Sequence, residues 1–279
     1  MSAVQQITGW PVPHAAAAVI TPDGVVDTWG PQEMVFELAS VTKLLTSVAV
    51  LVALQDGALT LTTVAGPPGS TVRHVLAHTA GYEFDTDATR GAPGERRMYS
   101  NTGFEVLADV VAQHVGQDFP SYVRDVVLQP LGMTHTDVSG SPAAGAQSTV
   151  ADLARFAHEL LVPTVLRPAT LAAARTTQFP DVAGLLPGFG RQTPNPWGLG
   201  FEVKGSKSPH WTGSLNSART FGHFGQSGTF LWVDPDRQLA CVALTDRAFG
   251  QWAIHEWPPF SDAVVTEFSG GNEHQDTRV

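Results

Sequence analysis

Residues 36–57 read FELASVTKLLTSVAVLVALQDG. From Ser40 to Asp56 apolar side chains fall on nearly every face of a helical period, and Gly57 follows as a C-terminal stop. A surface helix would keep a polar stripe; this pattern predicts a helix buried on all sides. Its most apolar part, Leu44–Leu54, is eleven residues long and contains Thr46 and Ser47. A bilayer span needs about 20 residues, so the run belongs to a core and no membrane span is expected.

Lys43 stands out in this helix. The 279-residue chain has only three lysines, and the other two, Lys204 and Lys207, fall in a polar connecting segment. Ser40-Val41-Thr42-Lys43 places serine and lysine at i and i+3, which share a helix face. Ser40 sits at the expected helix start, where free N–H groups and the positive dipole end favour an oxyanion. Free lysine titrates near 10.4 and is a poor base; burial in an apolar helix makes it a better one. Read alone, the same four residues describe a capping serine and a snorkelling lysine.

Working outward, Ala15–Ile20 and Val25–Trp29 flank Pro22-Asp23-Gly24 and read as a hairpin. Thr102 with Glu105 predicts a capping box for a helix carrying Phe104, Leu107, Ala108, Val111 and Val115, ending at Gly116. A second helix is predicted from Asp118 and Pro120, a third from Thr149 with Asp152, and a fourth near Pro168. Residues 180–221 are rich in Gly, Pro, Ser, Asn and Trp, with one strand at Leu199–Val203. Thr229–Val233 and Leu239–Thr245 surround Asp234-Pro235-Asp236-Arg237 as a second hairpin, and a short helix is predicted over Asp262–Phe268. Gly270–Val279 reads as a loose tail.

The order strands, helices, strands, helix implies an α+β fold: one antiparallel sheet flanked by helices, with an inserted all-helical lobe. On this division residues 1–60 and 196–279 form the sheet lobe and 61–195 the helical lobe of a single domain.

Composition narrows the function. Sixteen basic and 26 acidic residues give a net charge of −10, without a Lys/Arg run, so no nucleic-acid partner is expected. Cys241 alone forms no intrachain disulfide and is expected buried and inert. The N-terminus shows no secretory pattern, which makes the cytoplasm the expected location.

Two further motifs follow the first. Tyr99-Ser100-Asn101 precedes the predicted capping box and thus lies on a turn held by a helix start. Its phenol can exchange protons with Ser40, and its amide can position lysine and substrate, although asparagine near a helix start is most often a cap. His223-Phe224-Gly225-Gln226 leads into the strand Thr229–Val233, where the Gln226 N–H can serve as an oxyanion donor and Gly225 admits close approach.

In this order the three motifs resemble the serine β-lactamase/penicillin-binding-protein superfamily, nearest the branch of class C β-lactamases, D-Ala-D-Ala carboxypeptidases and related esterases. The resemblance extends to Leu76-Ala77-His78-Thr79-Ala80-Gly81, to Tyr99 through Thr134 with its Pro130-Leu131-Gly132-Met133 turn, and to Gly222–Arg247. It implies a β-lactamase/transpeptidase-like fold and a serine acyl-enzyme acting on a small acyl substrate without a cofactor. Ser40 would be the nucleophile, Lys43 and Tyr99 the base pair, Asn101 a positioning group, and the N–H groups of Ser40 and Gln226 the oxyanion hole. His223 stands where efficient members of the family usually have lysine, which favours esters over carboxylate-bearing β-lactams or D-alanyl peptides.

Two rival readings carry less. His74 and His78 have i, i+4 spacing, but no glutamate lies between them as in zinc proteases, so no metal is expected. A non-catalytic ligand-binding member of the fold would need no nucleophile with its base, yet Ser40, Lys43 and Tyr99 are all present. Trp197, Trp211 and Phe221 are candidates for an apolar acyl pocket or for plain core packing. The sequence carries no signal for oligomeric state.

Overall fold

The computed structural model describes residues 2–269. Strands β1 (Ala15–Thr21) and β2 (Gly24–Trp29) form the first hairpin, and β3 (Phe36–Glu37) leads through a 3-10 turn, Ala39–Val41, into α1 (Thr42–Gln55). Next come α2 (Val72–Leu76), α3 (Asn101–Val115) and α4 (Phe119–Val123), the last running into a π turn, Arg124–Leu128. β4 (Gln147–Ser148) precedes α5 (Val150–Leu161) and α6 (Pro168–Ala174). The chain ends with β5 (Gly184–Leu186), β6 (Gly190–Gln192), β7 (Glu202–Val203), β8 (Phe221–Gly225), β9 (Thr229–Asp234), β10 (Leu239–Thr245) and α7 (Gln251–Phe268).

Six strands make one antiparallel sheet in the order β2-β1-β10-β9-β8-β7. The first and last strand groups therefore meet, with Ala15 opposite Thr245 and Ile20 opposite Ala240. Alternation along the strands supplies two apolar faces. Ala16, Ala18, Ile20, Val242 and Leu244 join the core that contains α1 and α5. Ala17, Val19, Cys241 and Ala243 join a second core with α7 and the 3-10 turn Ala3–Gly9. This is the α+β arrangement read from the element order.

Helix α1 is buried from Thr42 through Ala53 because the sheet side and the helices α3 and α4 both pack on it. Its all-round apolarity reflects that double contact. Helix α5, inside the stretch assigned to the helical lobe, lies against β1, β9 and β10.

Three local expectations change. The N-cap of α3 is Ser100, whose hydroxyl accepts from the Gly103 N–H at 3.2 Å, and not Thr102. Ser100 is extended at φ −141°, the geometry a cap requires, so helix begins at Asn101. Helix α7 starts eleven residues before the predicted Asp262 and contains Pro258 and Pro259. An interior proline costs about 3 kcal/mol, and here burial of Ala253, Trp257, Phe260, Val264 and Val265 offsets it. Lys204 and Lys207, placed by the sequence in a polar connecting segment, are both buried: Lys204 donates to the carbonyl of Gly213, and Lys207 pairs with Glu202. The predicted tail, 270–279, lies outside the described residues.

Candidate active site

The segment that leads to Ser40 is pinned before the helix begins. The Leu38 carbonyl accepts from Thr229 Oγ1 at 3.0 Å, and the Glu37 carbonyl accepts from Ser227 Oγ at 2.6 Å. Ala39 then adopts a left-handed φ of 44°. That conformation costs a residue with a Cβ on the order of 1–2 kcal/mol, and these anchors hold it. Ser40 follows on the 3-10 turn, one residue pair ahead of α1.

Gly225 lets β8 pass this turn. A Cβ there would stand 2.3 Å from the Leu38 carbonyl oxygen and 3.2 Å from Ala39 Cβ. The sequence assigned this glycine to substrate approach; in the structure the neighbour that needs the space is the turn before Ser40.

Tyr99 and Ser40 are brought together: the phenol donates to Ser40 Oγ at 2.7 Å. Burial pushes the Tyr99 phenol well above its usual range, and the bond to Ser40 opposes this only in part. The resting tyrosine is therefore protonated. Lys43 is fully buried and donates to Asn101 Oδ1 at 2.6 Å and to the Ala143 carbonyl at 2.8 Å. Its nitrogen lies 4.7 Å from the Tyr99 ring centroid and 5.4 Å from that of Phe104. Thus the hydrogen bond to Ser40 comes from Tyr99, with Lys43 behind it, whereas i, i+3 spacing alone points Lys43 at the serine. Burial lowers the Lys43 pKa to about 7, against the opposing charges of Asp85 and Glu105.

Asn101, the first residue of α3, accepts from Lys43 and donates through Nδ2 to Asp85 Oδ1 at 2.8 Å. Asp85 and the Ala143 carbonyl carry no sequence signal, since each joins this group only through the folding of distant loops, whereas Glu105 lies one turn after Asn101 on α3.

His223 lies on β8 with its ring 5.6 Å from Tyr99 and 5.5 Å from Trp197. It is buried, Nδ1 contacts the Phe224 carbonyl at 2.6 Å, and burial with the nearby Lys43 charge lowers its pKa to about 3. Gln226 is exposed in the β8–β9 turn. Ser40, Tyr99, Trp197, His223 and Gln226 all line one cavity of about 810 Å³, to which the β5–β6 hairpin contributes Gly184, Leu185, Leu186 and Arg191. Trp197 is thus a wall residue, while Trp211 and Phe221 belong to the two cores.

The paired histidines separate. His74 bonds Thr71 Oγ1 at 2.9 Å and stacks on Phe179. His78 leaves the helix with φ 54° and packs against Tyr99, Phe104 and Trp197. Its Nδ1 accepts from the Ser100 N–H at 3.2 Å, which ties the Tyr99–Asn101 turn to the stretch after α2.

The sequence profile named Beta-lactamase matches residues 11–258. The crystal structure of a beta-lactamase from Mycobacterium bovis superimposes with a TM-score of 0.95 and 55% identity, over 96% of this chain and all of that one. A D-alanyl-D-alanine-carboxypeptidase/endopeptidase of Escherichia coli, AmpH, is 25% identical over 219 residues, 66% of this chain and 54% of the relative. The chain thus spans about half the length of that relative. EstCE1, a hydrolase with promiscuous acyltransferase activity, shares the fold at a TM-score of 0.76 and 19% identity, over 94% of this chain and 96% of that one. Among the described residues no helix is long and apolar enough to cross a membrane.

Proposed function

The chain belongs to the beta-lactamase family, and from that premise we propose that it is a serine hydrolase that cleaves small acyl esters through an acyl-enzyme on Ser40. The observation that carries this reading is the 2.7 Å bond between Tyr99 and Ser40, backed by a buried Lys43 that titrates near neutrality. A serine is a weak nucleophile until a base takes its proton. Neutral Lys43 is the proton sink, and Tyr99, which touches Ser40 and lies under the lysine nitrogen, passes the proton between them.

In the first step Ser40 Oγ bonds to the substrate carbonyl carbon, and its proton goes to the Tyr99–Lys43 pair. The N–H groups of Ser40 and Gln226 receive the oxyanion. Collapse breaks the ester C–O bond, and the departing alcohol takes the proton. Water then repeats the sequence on the acyl-enzyme and releases the acid. Loss of one oxyanion donor costs such enzymes about 10²–10³ in kcat.

Esters are preferred because His223, at the position where lysine would meet a substrate carboxylate, is neutral. The alternative, hydrolysis of β-lactams or D-alanyl peptides, draws on the likeness to the M. bovis beta-lactamase and to AmpH. A short-chain p-nitrophenyl ester compared with a chromogenic cephalosporin separates the two. Faster turnover of the cephalosporin reverses the preference. Unchanged activity in Ser40→Ala, or no adduct on Ser40 by mass spectrometry, sinks the mechanism.

A further inference from the structure

The charges around the cavity do not balance. Three carboxylates line it, Glu83, Glu95 and Glu202, and each already has a base: Arg90, Arg96 and Lys207 in turn. Asp85 and Glu105 bond Asn101 and Ser141 and are not part of its wall. Two lining arginines are left over, Arg97 and Arg191, in a chain whose net charge is −10. Arg97 is buried and spends its N–H groups on the carbonyls of Ala77, Gln178, Phe179 and Asn195. Arg191 is exposed on β6 and makes no ion pair among the described residues.

Its setting is amphipathic. Arg191 is the register partner of Leu185 across the β5–β6 ladder, and opposite residues of an antiparallel pair stand on one face. Leu185 is 69% exposed and Phe84 51%, and both line the cavity. Apolar side chains grouped in this way stay wet until a ligand covers them. At about 810 Å³ the cavity has the size of a drug-sized ligand site, more room than a short acyl group fills. A guanidinium fork beside that apolar surface matches the two oxygens of a carboxylate. With His223 neutral, Arg191 is the exposed cation of this wall that no carboxylate has claimed.

We propose that Leu185 and Arg191 select the acyl group, so that the enzyme takes esters whose acyl chain is apolar next to the scissile carbonyl and ends in a carboxylate at the β5–β6 hairpin. This assignment rests on Ser40 being the nucleophile. The carboxylate it calls for is the far end of the chain, unlike one beside the scissile bond, which neutral His223 does not serve.

Matched p-nitrophenyl esters test it on the intact protein. The monoesters of adipic and suberic acid are compared with those of their monoamides, in which an isosteric neutral carboxamide replaces the distal carboxylate. At low salt the acid member of at least one length should show a kcat/KM about 2–5-fold above its amide, the effect of one exposed ion pair. High salt should bring that ratio toward one, a readout that needs no variant. In Arg191→Glu the ratio should fall below one. Wild-type ratios of one or less at both lengths, a preference indifferent to salt, or a ratio unmoved by Arg191→Glu overturn the assignment. If none of the four esters is turned over the assignment fails, and labelling of Ser40 by a fluorophosphonate then shows whether the nucleophile reading fails with it.

Discussion

Lys43 Nζ lies 2.6 Å from Asn101 Oδ1, and the amide nitrogen of Asn101 lies 2.8 Å from Asp85. A buried amine, a relay amide and an exposed carboxylate thus form one hydrogen-bonded chain from the core to the surface. Each has a separable effect on the base.

On the proposed mechanism the amine accepts a proton only when neutral, and burial brings its pKa to about 7. Below that value Lys43 is charged and unable to accept; above it the fraction of active enzyme is full. The acid limb of the kcat/KM profile should therefore rise with pH and level off above about 7. Lys43→Arg keeps a donor for Asn101 but stays protonated at every accessible pH. Its rate should fall by about 10²–10⁴, with no limb near neutrality. A limb that persists in that variant assigns the titration to another group.

Asp85 raises the Lys43 pKa by its charge. Asp85→Asn keeps an oxygen acceptor for Asn101 and removes that charge. The acid limb should then move to lower pH, and the enzyme should gain activity on the acidic side. Asp85 is exposed, so the difference between variant and wild type should shrink in high salt. A limb displaced upward would contradict the charge argument.

How much of this was legible in the sequence depends on distance along the chain. The buried helix, both hairpins and the Ser40, Tyr99 and His223 motifs are short-range patterns of apolar period, turn residues and spacing. The two-residue strand β7 and the hairpin β5–β6 lie in a Gly- and Pro-rich stretch with no periodicity to read. Asp85 and the Ala143 carbonyl reach Asn101 and Lys43 only through tertiary packing. The prolines of α7 hid a real helix because local propensity lost to burial. Lys207 falls in a stretch that reads as a polar connection, and its partner, Glu202, lies five residues away with nothing between them to signal burial.

Gly225 offers a test of the turn that holds Ser40. In Gly225→Ala the new methyl group meets the Leu38 carbonyl at 2.3 Å, so the backbone before Ser40 must shift. Displacing a reacting group by about 1 Å can cost 10²-fold in rate. We expect a loss in kcat of at least that order, with KM changed much less. Wild-type kcat in a folded variant would show that the β8–nucleophile contact is not what sets the position of Ser40.

Glu202, which also lines the cavity that holds Ser40, and Lys207 offer a test of stability. Glu202 also accepts from Trp211 Nε1 at 3.0 Å and contacts His210 Nε2 at 3.1 Å, all in buried surroundings. Removing one member of a buried ion pair leaves the other charge uncompensated and typically costs 3–5 kcal/mol, about 2–3 decades or more in the folding constant. Replacing both avoids that charge. Glu202→Gln should therefore be destabilised on that order in urea titrations, while Glu202→Gln with Lys207→Met recovers a substantial part. The coupling in the double-mutant cycle, and not the cost of either single change, measures the pair itself. Additive single-site losses would mean that Lys207 is held by the Asn195 side chain and the Pro196 carbonyl, each 3.2 Å from its nitrogen, and not by Glu202.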